Sequence, residues 1–241
     1  IVVNDSRGFY TSRCFGTYVA EGQEMLAEGI APAIVDNVGR MTGMPRGPLE
    51  LADDVALDLA YKVREQTKKD LGAAYVAGPS DALIEALVVK HGRLGRKNAK
   101  GFYDYPANKG PKTLWPGLAD LVALKVTEAE PAAVEELKKR FLYRQAVEAA
   151  RCVAEGVVTD PRDGDVGAIL GWGFAPWTGG PISLIDTVGL AKFVEECDRM
   201  AQAYGPRFAP PQLLRDPARR AAYLCERHGI ALQGEEAWHG A

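Results

Sequence analysis

Apolar positions along the chain recur with the spacing of amphipathic helices. Between residues 14 and 26 the apolar side chains keep a period of 3.6, and Asp5 or Ser6 is suited to cap the helix that this pattern predicts. Proline suits the first turn of a helix, and glycine its end. Further helices are predicted from Pro32, from Pro48 towards Gly72, from Ser80 and from Pro131 to Gly156. The pattern predicts an all-α protein.

The first three residues do not fit this helical pattern. Ile1, Val2 and Val3 form a short apolar run that is typical of the end of a buried strand. We therefore expect the chain to begin where an element of another domain closes.

The second half of the chain repeats the first. Ala27-Glu28-Gly29-Ile30 recurs as Ala154-Glu155-Gly156-Val157, an offset of 127 residues, and Arg13 and Glu21 match Arg140 and Glu148 at the same offset. This order indicates an internal duplication. Two copies of one helical unit can pack face to face about a pseudo-two-fold axis, as the two chains of a homodimer do.

The boundary between the copies is predicted in a loop rich in proline and glycine. Residues 106–117 hold three prolines and two glycines, a composition typical of a linker. We divide the chain into a first helical domain, residues 1–106, and a second helical copy, residues 107–241.

Charge and hydropathy exclude several partners. A formal charge of −3 and a pI near 5.7 give no reason to expect nucleic acid or an anionic membrane surface. Charged residues interrupt every apolar stretch before the roughly 18 residues that span a bilayer, so no membrane span is predicted. The four cysteines form no C-x-x-C and fit reduced, buried thiols. We predict a cytoplasmic protein.

Motifs for cofactor and metal binding are absent from the sequence. It contains no G-x-G-x-x-G, no P-loop, no G-x-S-x-G, no H-E-x-x-H and no paired spacing of metal ligands. His91, His228 and His239 are interpreted as capping or surface residues. We therefore expect no metal and no cofactor bound by this chain.

One basic run leaves two interpretations open. The stretch from Gly92 to Tyr105 includes Arg96 and Lys97, whose charges could meet the phosphates of a large anionic ligand. The alternative is a solvated turn whose basic groups cap the preceding helix.

Several motifs in order resemble one family. V-N-D-S-R-G-F-Y-T-S-R, G-x-P-R-G-P-L-E-L-A-D, G-R-K-N-A-K-G-F-Y-D-Y, E-G-V-V-T-D-P-R-D-G-D-V-G and G-F-A-P-W-T-G-G-P resemble the C-terminal region of 3-hydroxyacyl-CoA dehydrogenases. The likeness is greatest to the multifunctional fatty-acid β-oxidation proteins, which carry two tandem helical copies. The resemblance implies an intrachain pseudo-dimer of two such domains.

The resemblance also implies that this chain is one part of an NAD-dependent enzyme. In the family, a Rossmann domain binds NAD and carries the catalytic His and Glu, a crotonase-like part hydrates enoyl-CoA, and the helical region completes the dehydrogenase cleft. Neither of the first two parts lies in this chain, which we therefore expect to be inactive alone. NAD and an acyl-CoA substrate would be bound by the parent protein, within a homo-oligomer or a multienzyme complex.

The resemblance assigns site residues to the start of the first helix. Relatives usually read G-F-x-x-N-R, with the asparagine on the substrate side of the active site, and in this chain Ser12 occupies that position. Serine can donate and accept a hydrogen bond, but it lacks the two N–H donors of an amide. Ser12 is thus the candidate catalytic contact, and Arg13, Arg96 and Lys97 are the candidate substrate-binding residues.

Two other classes of function stay open at the level of the sequence. The absence of a complete catalytic constellation favours a non-catalytic helical module for dimerisation or multienzyme assembly. A weaker alternative is the helical half of a 6-phosphogluconate or hydroxyisobutyrate dehydrogenase, against which the duplicated G-P-x-x-L-x-D-x-V-x-L pattern argues.

Overall fold

A computed structural model describes residues 1–108 and 110–216 of the chain. Cys225, His228 and His239 lie outside these residues. The described cysteines Cys14, Cys152 and Cys197 are free and buried, which confirms the prediction for them.

The described residues are mostly helical, as the apolar period predicts. The helices are α1 (Thr11–Ala27), α2 (Pro32–Met41), α3 (Pro48–Val55), α4 (Leu57–Leu71), α5 (Ser80–Glu85, continued by a π-helical turn Ala86–Lys90), α6 (Leu118–Leu121), α7 (Pro131–Ala154), α8 (Pro161–Trp172), α9 (Pro181–Val188), α10 (Leu190–Tyr204) and α11 (Gln212–Arg215). Short 3₁₀ turns cover Gly72–Ala74, Arg96–Asn98, Pro176–Thr178 and Pro206–Phe208. The strands β1 (Tyr103–Asp104) and β2 (Thr113–Leu114) pair antiparallel, with Tyr103 opposite Leu114.

The structure divides into two compact units. Unit 1 is made of Ile1–Phe15 together with the chain from Leu142 onwards, and unit 2 is Gly16–Phe141. Both α1 and α7 contribute to each unit, because each boundary falls inside one of these two helices. The units follow contacts in space, whereas the repeat boundary near residue 106 follows the sequence, and that boundary stays a prediction.

The core of unit 2 lies between α1, α2, α3 and the segment around β1. Its fully buried apolar side chains include Tyr18, Met25, Leu49, Leu57 and Phe102. The core of unit 1 lies beneath α7, α8 and α10 and includes Tyr10, Cys152, Phe174, Phe193 and Phe208. Burial of such side chains is the main favourable contribution to folding.

Two helix boundaries differ from the predictions. The first helix begins at Thr11 rather than after Asp5 or Ser6, because Gly8 and Phe9 turn the backbone with φ of 79° and 48°. The helix predicted from Pro48 towards Gly72 breaks at Ala56, where φ is 88°. The Leu57 amide leaves the helical pattern there and donates to the Leu94 carbonyl at 3.0 Å. A local backbone turn therefore sets the first boundary, and a contact with a residue distant in sequence accompanies the second.

The apolar residues at the start of the chain form no strand. Ile1 and Val2 are exposed, and the first backbone contact of the segment is the Asn4 amide, which donates to the Val157 carbonyl at 2.9 Å. Among the helices of the described residues, none combines the length and apolar character needed to cross a lipid bilayer.

Candidate functional site

The segment that leads into α1 is fixed on unit 1 by hydrogen bonds and ring contacts. The Asn4 side chain donates to the Gly156 carbonyl at 2.8 Å, and the Tyr10 hydroxyl donates to the Gly164 carbonyl at 3.0 Å. The Tyr10 ring packs edge-on against Trp172, with ring centroids 5.2 Å apart. These contacts define where the first turn of α1 lies within the unit.

Arg13 holds this turn through two carboxylates. Its Nε donates to Glu148 at 2.8 Å, and its Nη1 donates to Glu155 at 2.5 Å. The hydrogen bond to Glu155 outweighs the effect of burial and raises the pKa of Arg13. Arg13 is engaged within the protein, and the geometry makes it an anchor of α1.

The carboxylate of Glu148 is shared between two arginines. Burial alone would raise the pKa of Glu148, but hydrogen bonds and charges from Arg13 and Arg151 outweigh it and hold that pKa below its ordinary value. Glu148 therefore stays ionised at neutral pH, and both members of the Arg13–Glu148 ion pair are charged.

Ser12 stands beside this anchor with its side chain exposed to solvent. Within the described part of the chain, its hydroxyl forms no hydrogen bond. The neighbouring Phe9 is 53% exposed, so an aromatic ring and a hydroxyl both face outward at the start of α1. The hydroxyl is free to meet a group that comes from elsewhere.

A similar arginine anchor lies in unit 2. Arg140 donates to Glu21 at 2.8 Å and to Glu28 at 2.7 Å, and its side chain is only 2% exposed. Burial would lower the pKa of Arg140, but the Glu21 and Glu28 carboxylates raise it above its ordinary value. At the offset of 127 residues, Ser12 is replaced by Lys139, so the second anchor lacks the small hydroxyl.

A second polar cluster in unit 2 surrounds Asp53. Its carboxylate accepts the backbone N–H groups of Phe102 at 2.8 Å and Tyr103 at 2.9 Å, and the Tyr105 hydroxyl at 3.0 Å. Burial raises the pKa of Asp53 to about 6, although these donors act in the opposite direction. The G-F-Y-D-Y part of the basic run is thus folded around one buried carboxylate.

Tyr103 links Asp53 to a further buried carboxylate. Its hydroxyl donates to Asp36 at 2.6 Å, and Asp36 also accepts the Leu49 amide at 2.8 Å. Burial raises the pKa of Asp36, and burial together with the proximity of that carboxylate raises the pKa of Tyr103. This network joins α2, α3 and β1, and its role is structural.

Arg96 and Lys97 lie on the surface of unit 2. Arg96 donates to Asp54 at 3.0 Å, and Lys97 forms an ion pair with Asp58. Both cations remain about half exposed. Ser12 and Arg13 belong to unit 1, so the structure places the four predicted site residues in two different units.

The described residues do not fit an NAD site. Their strands form one antiparallel pair of two residues each, whereas a dinucleotide fold needs a parallel sheet with a glycine-rich turn before a helix. Across the described ranges, no group of three His, Cys, Asp or Glu side chains is arranged to hold a metal ion.

The carboxylates that surround the candidate residues could not be identified from the sequence alone. Glu148 and Glu155 were visible only as members of the repeat, although an arginine and two glutamates kept in both copies is itself a signal of pairing. Asp36 and Asp53 are each an acidic residue within an apolar helix, which is a weaker indication of a structural role. The glycine at position 101 is a further indication, because a Cβ there would lie 1.9 Å from the Asp53 carboxylate.

Comparison with known proteins places this site in context. Residues 8–105 match the family of the 3-hydroxyacyl-CoA dehydrogenase C-terminal domain. The fatty acid oxidation complex subunit alpha of Shewanella amazonensis is 39% identical over 216 residues, which are 89% of this chain and 30% of the relative. The subunit of the same name from Vibrio cholerae is 38% identical over 210 residues, 87% of this chain and 29% of the relative. The chain thus spans about 30% of the length of the curated relatives it matches.

Solved structures show the same fold at lower identity. The 3-hydroxybutyryl-CoA dehydrogenase of Escherichia coli K12 matches 94% of this chain and 62% of its own, with a TM-score of 0.66 and 19% identity. The dehydrogenase part of multifunctional enzyme 1 from C. elegans matches 89% of this chain and 49% of its own, with a TM-score of 0.66 and 24% identity. Residues 8–105 thus match the 3-hydroxyacyl-CoA dehydrogenase C-terminal domain, and the relatives that align over most of the chain are alpha subunits of fatty acid oxidation complexes.

Proposed function

We propose that this chain is the C-terminal helical part of a 3-hydroxyacyl-CoA dehydrogenase of fatty-acid β-oxidation, in which Ser12 faces the acyl-CoA substrate. The observation that carries the proposal is the exposed hydroxyl of Ser12 on a turn clamped by Arg13. A group that positions a substrate has to be held rigidly by its own neighbours, and the Glu148 and Glu155 carboxylates supply that support.

The chemical contribution of this chain is one wall of a substrate cleft. The Ser12 hydroxyl can donate to a carbonyl or accept from a hydroxyl of a bound ligand, and its small size leaves room for either. On this proposal the NAD of the family is bound by the parent protein, outside this chain. A cytoplasmic location of the parent stays a prediction.

We also propose that the two repeats pack as an intrachain pseudo-dimer. In unit 1, Arg13 of the first repeat binds Glu148 and Glu155 of the second. In unit 2, Arg140 of the second repeat binds Glu21 and Glu28 of the first. Reciprocal contacts of this kind are the pattern of an isologous interface between two copies, and they support the proposal.

An enzyme assay tests the main proposal. The 241-residue protein and the full-length parent are each incubated with NADH and acetoacetyl-CoA, and nicotinamide absorbance is followed. We expect sustained oxidation with the parent and none with the 241-residue protein. Oxidation by the shorter protein, or its absence from the parent under conditions where the parent is folded, would contradict the proposal.

A second candidate function, an assembly module that pairs with another copy of the chain, is favoured by one surface. On α8, Val166 and Leu170 lie one turn apart and are 51% and 81% exposed. Light scattering of the wild type and of Leu170→Lys separates the two functions. A dimer that dissociates in the variant supports the assembly module, and a monomer in both removes it.

A further inference from the structure

The surface of α3 and the start of α4 carries more cations than its carboxylates can neutralise. Glu50 pairs with Arg40 and Lys112, Asp54 with Arg46 and Arg96, and Asp58 with Lys62 and Lys97. Each carboxylate is therefore shared by two cations. We call these six cations and three carboxylates the basic belt of unit 2.

Five of the six cations form the outer layer of the basic belt, whereas the Lys112 ammonium is buried beneath them. The three carboxylates are 17–22% exposed, and the five outer cationic side chains are 42–74% exposed. The solvent-facing layer is consequently positive, although the whole chain carries a formal charge of −3. A local patch of this sign attracts anions independently of the net charge.

The members of the basic belt are continuous along the fold. Glu50 and Asp54 lie one turn apart on α3, which places them about 6 Å apart along the helix axis. Arg96 and Lys97 are consecutive residues that bind Asp54 and Asp58, so these two carboxylates lie beneath neighbouring cations. The positive surface is therefore long enough to contact more than one phosphate group of a ligand.

A groove begins at one end of the basic belt. It has a volume of about 500 Å³ and is lined by Arg96, Ala99, Tyr105, Pro106, Ala107 and Gly110. The Tyr105 ring lies 5.4 Å from the Arg96 guanidinium carbon, and its hydroxyl donates to buried Asp53 at 3.0 Å. The ring is thus fixed, with small apolar side chains beside it.

We propose that unit 2 binds a nucleoside diphosphate, with the phosphates over Arg96, Lys97 and the neighbouring cations of the basic belt and the base in the groove against Tyr105. Arginine and lysine are the side chains that bind phosphate, and a fixed aromatic ring offers a stacking surface for a base. The diphosphate is either free or part of a larger molecule such as coenzyme A. The proposal is independent of dehydrogenase activity, because it concerns binding by this chain alone.

Calorimetric titration of the 241-residue protein tests this binding. The probes are ADP, coenzyme A, inorganic diphosphate and adenosine, at low ionic strength and at about 0.15 M salt. We expect ADP to bind more tightly than inorganic diphosphate and adenosine, and its affinity to fall with salt. Coenzyme A binding more tightly than ADP identifies the larger carrier as the source, and equal or weaker binding identifies the free nucleotide.

Two variants with opposite expected effects make the test specific. Arg96→Ala combined with Lys97→Ala is expected to weaken ADP binding about tenfold or more. Asp54→Asn combined with Asp58→Asn removes two negative charges and is expected to tighten it. The matched control is Arg162→Ala combined with Arg199→Ala, because these exposed arginines form ion pairs with Asp160 and Glu196 outside the basic belt. Circular dichroism checks that each variant is folded.

Several results would overturn the proposal. They are the absence of ADP and coenzyme A binding, equal binding of ADP and adenosine, equal binding of ADP and inorganic diphosphate, and equal weakening by the control pair. Binding to vesicles of anionic phospholipid without binding of any nucleotide would replace it with a membrane contact.

Discussion

Arg13 and Glu148 meet across 135 positions of the chain, with Arg13 Nε 2.8 Å from the Glu148 carboxylate. Arg140 and Glu21, their counterparts in the repeat, meet at the same distance across 119 positions. Both ion pairs join α1 to α7, so these two helices, far apart in the sequence, depend on each other for their arginine contacts.

Replacing Arg140 is expected to destabilise the protein more than replacing Arg13. Arg140→Ala removes the buried guanidinium that pairs with Glu21 and Glu28 and should lower the free energy of unfolding by about 3–5 kcal/mol. Arg13→Ala should cost less, about 1–3 kcal/mol, because the Arg13 side chain is 16% exposed and water can reach the glutamates. Urea unfolding followed by circular dichroism measures both. A larger loss for Arg13→Ala would show that exposure does not set the cost.

Replacing Ser12 tests its contact with substrate. In the full-length parent, Ser12→Ala should lower dehydrogenase turnover about threefold to tenfold, the effect of one lost neutral hydrogen bond. Ser12→Asn restores a hydrogen-bonding side chain at this position, and should recover at least the wild-type rate. Thr11→Ala is the control, since Thr11 is also an exposed hydroxyl residue of α1. Unchanged kinetics in Ser12→Ala would make Ser12 a surface residue.

The stability that Asp53 contributes should decrease as pH rises. Its pKa of about 6 in the folded protein exceeds the ordinary value of 3.8, so between these values the folded state binds the proton more tightly than the unfolded state. The contribution is fully present below about pH 4 and is lost as pH rises through 6, a change of about 3 kcal/mol. The measurement is the difference in unfolding free energy between wild type and Asp53→Asn from pH 4 to 7.

The control for this pH dependence is Asp120→Asn, an exposed aspartate of the same unit. Its pH profile is subtracted from that of Asp53→Asn, so that any effect common to the loss of an aspartate is removed. If the stability of the wild type relative to Asp53→Asn instead increased with pH, the direction of the Asp53 pKa shift would be wrong.

Gly101 should tolerate no side chain. A Cβ at this position would lie 1.9 Å from Asp53 Oδ1, and the crowded atoms belong to a carboxylate held by three donors. Gly101→Ala should therefore destabilise the protein by about 3 kcal/mol or more. Gly16→Ala is the matched control in unit 2, because it has open space around its Cβ and lies in a helix, where alanine is favoured by about 0.5–1 kcal/mol. Equal stability of the two variants would show that the Asp53 cluster can rearrange.

How much could be predicted from the sequence depends on the range of the interaction. The 3.6-residue period and the proline positions predict the helices, since both act within a few residues. The break at Ala56 and the start of α1 at Thr11 were missed, because the Leu94 carbonyl and the Gly8-Phe9 turn determine them. The apolar period reports neither a local backbone turn such as Gly8-Phe9 nor a contact with a residue as distant in sequence as Leu94.

The residues of the candidate site also divide into those that the sequence indicates and those that only the fold brings together. Ser12 was found through a resemblance to a family motif, and the repeat separated it from Arg13, which recurs in the second copy. The choice of Glu148 and Glu155 as partners of Arg13 requires folding of residues more than 130 positions apart. Composition and spacing cannot supply such a pairing, although the charge of each member is plain in the sequence.

Unit 1 is assembled from both ends of the described chain, residues 1–15 and the part from Leu142 onwards. A protease that cuts once in the loop 106–117 would therefore not release two independent domains. The amino-terminal fragment would keep the segment that unit 1 needs, and the carboxyl-terminal fragment would keep the part of α7 that unit 2 needs. Each unit is therefore completed by residues from both sides of this loop, and a change that removed either side would remove part of both units.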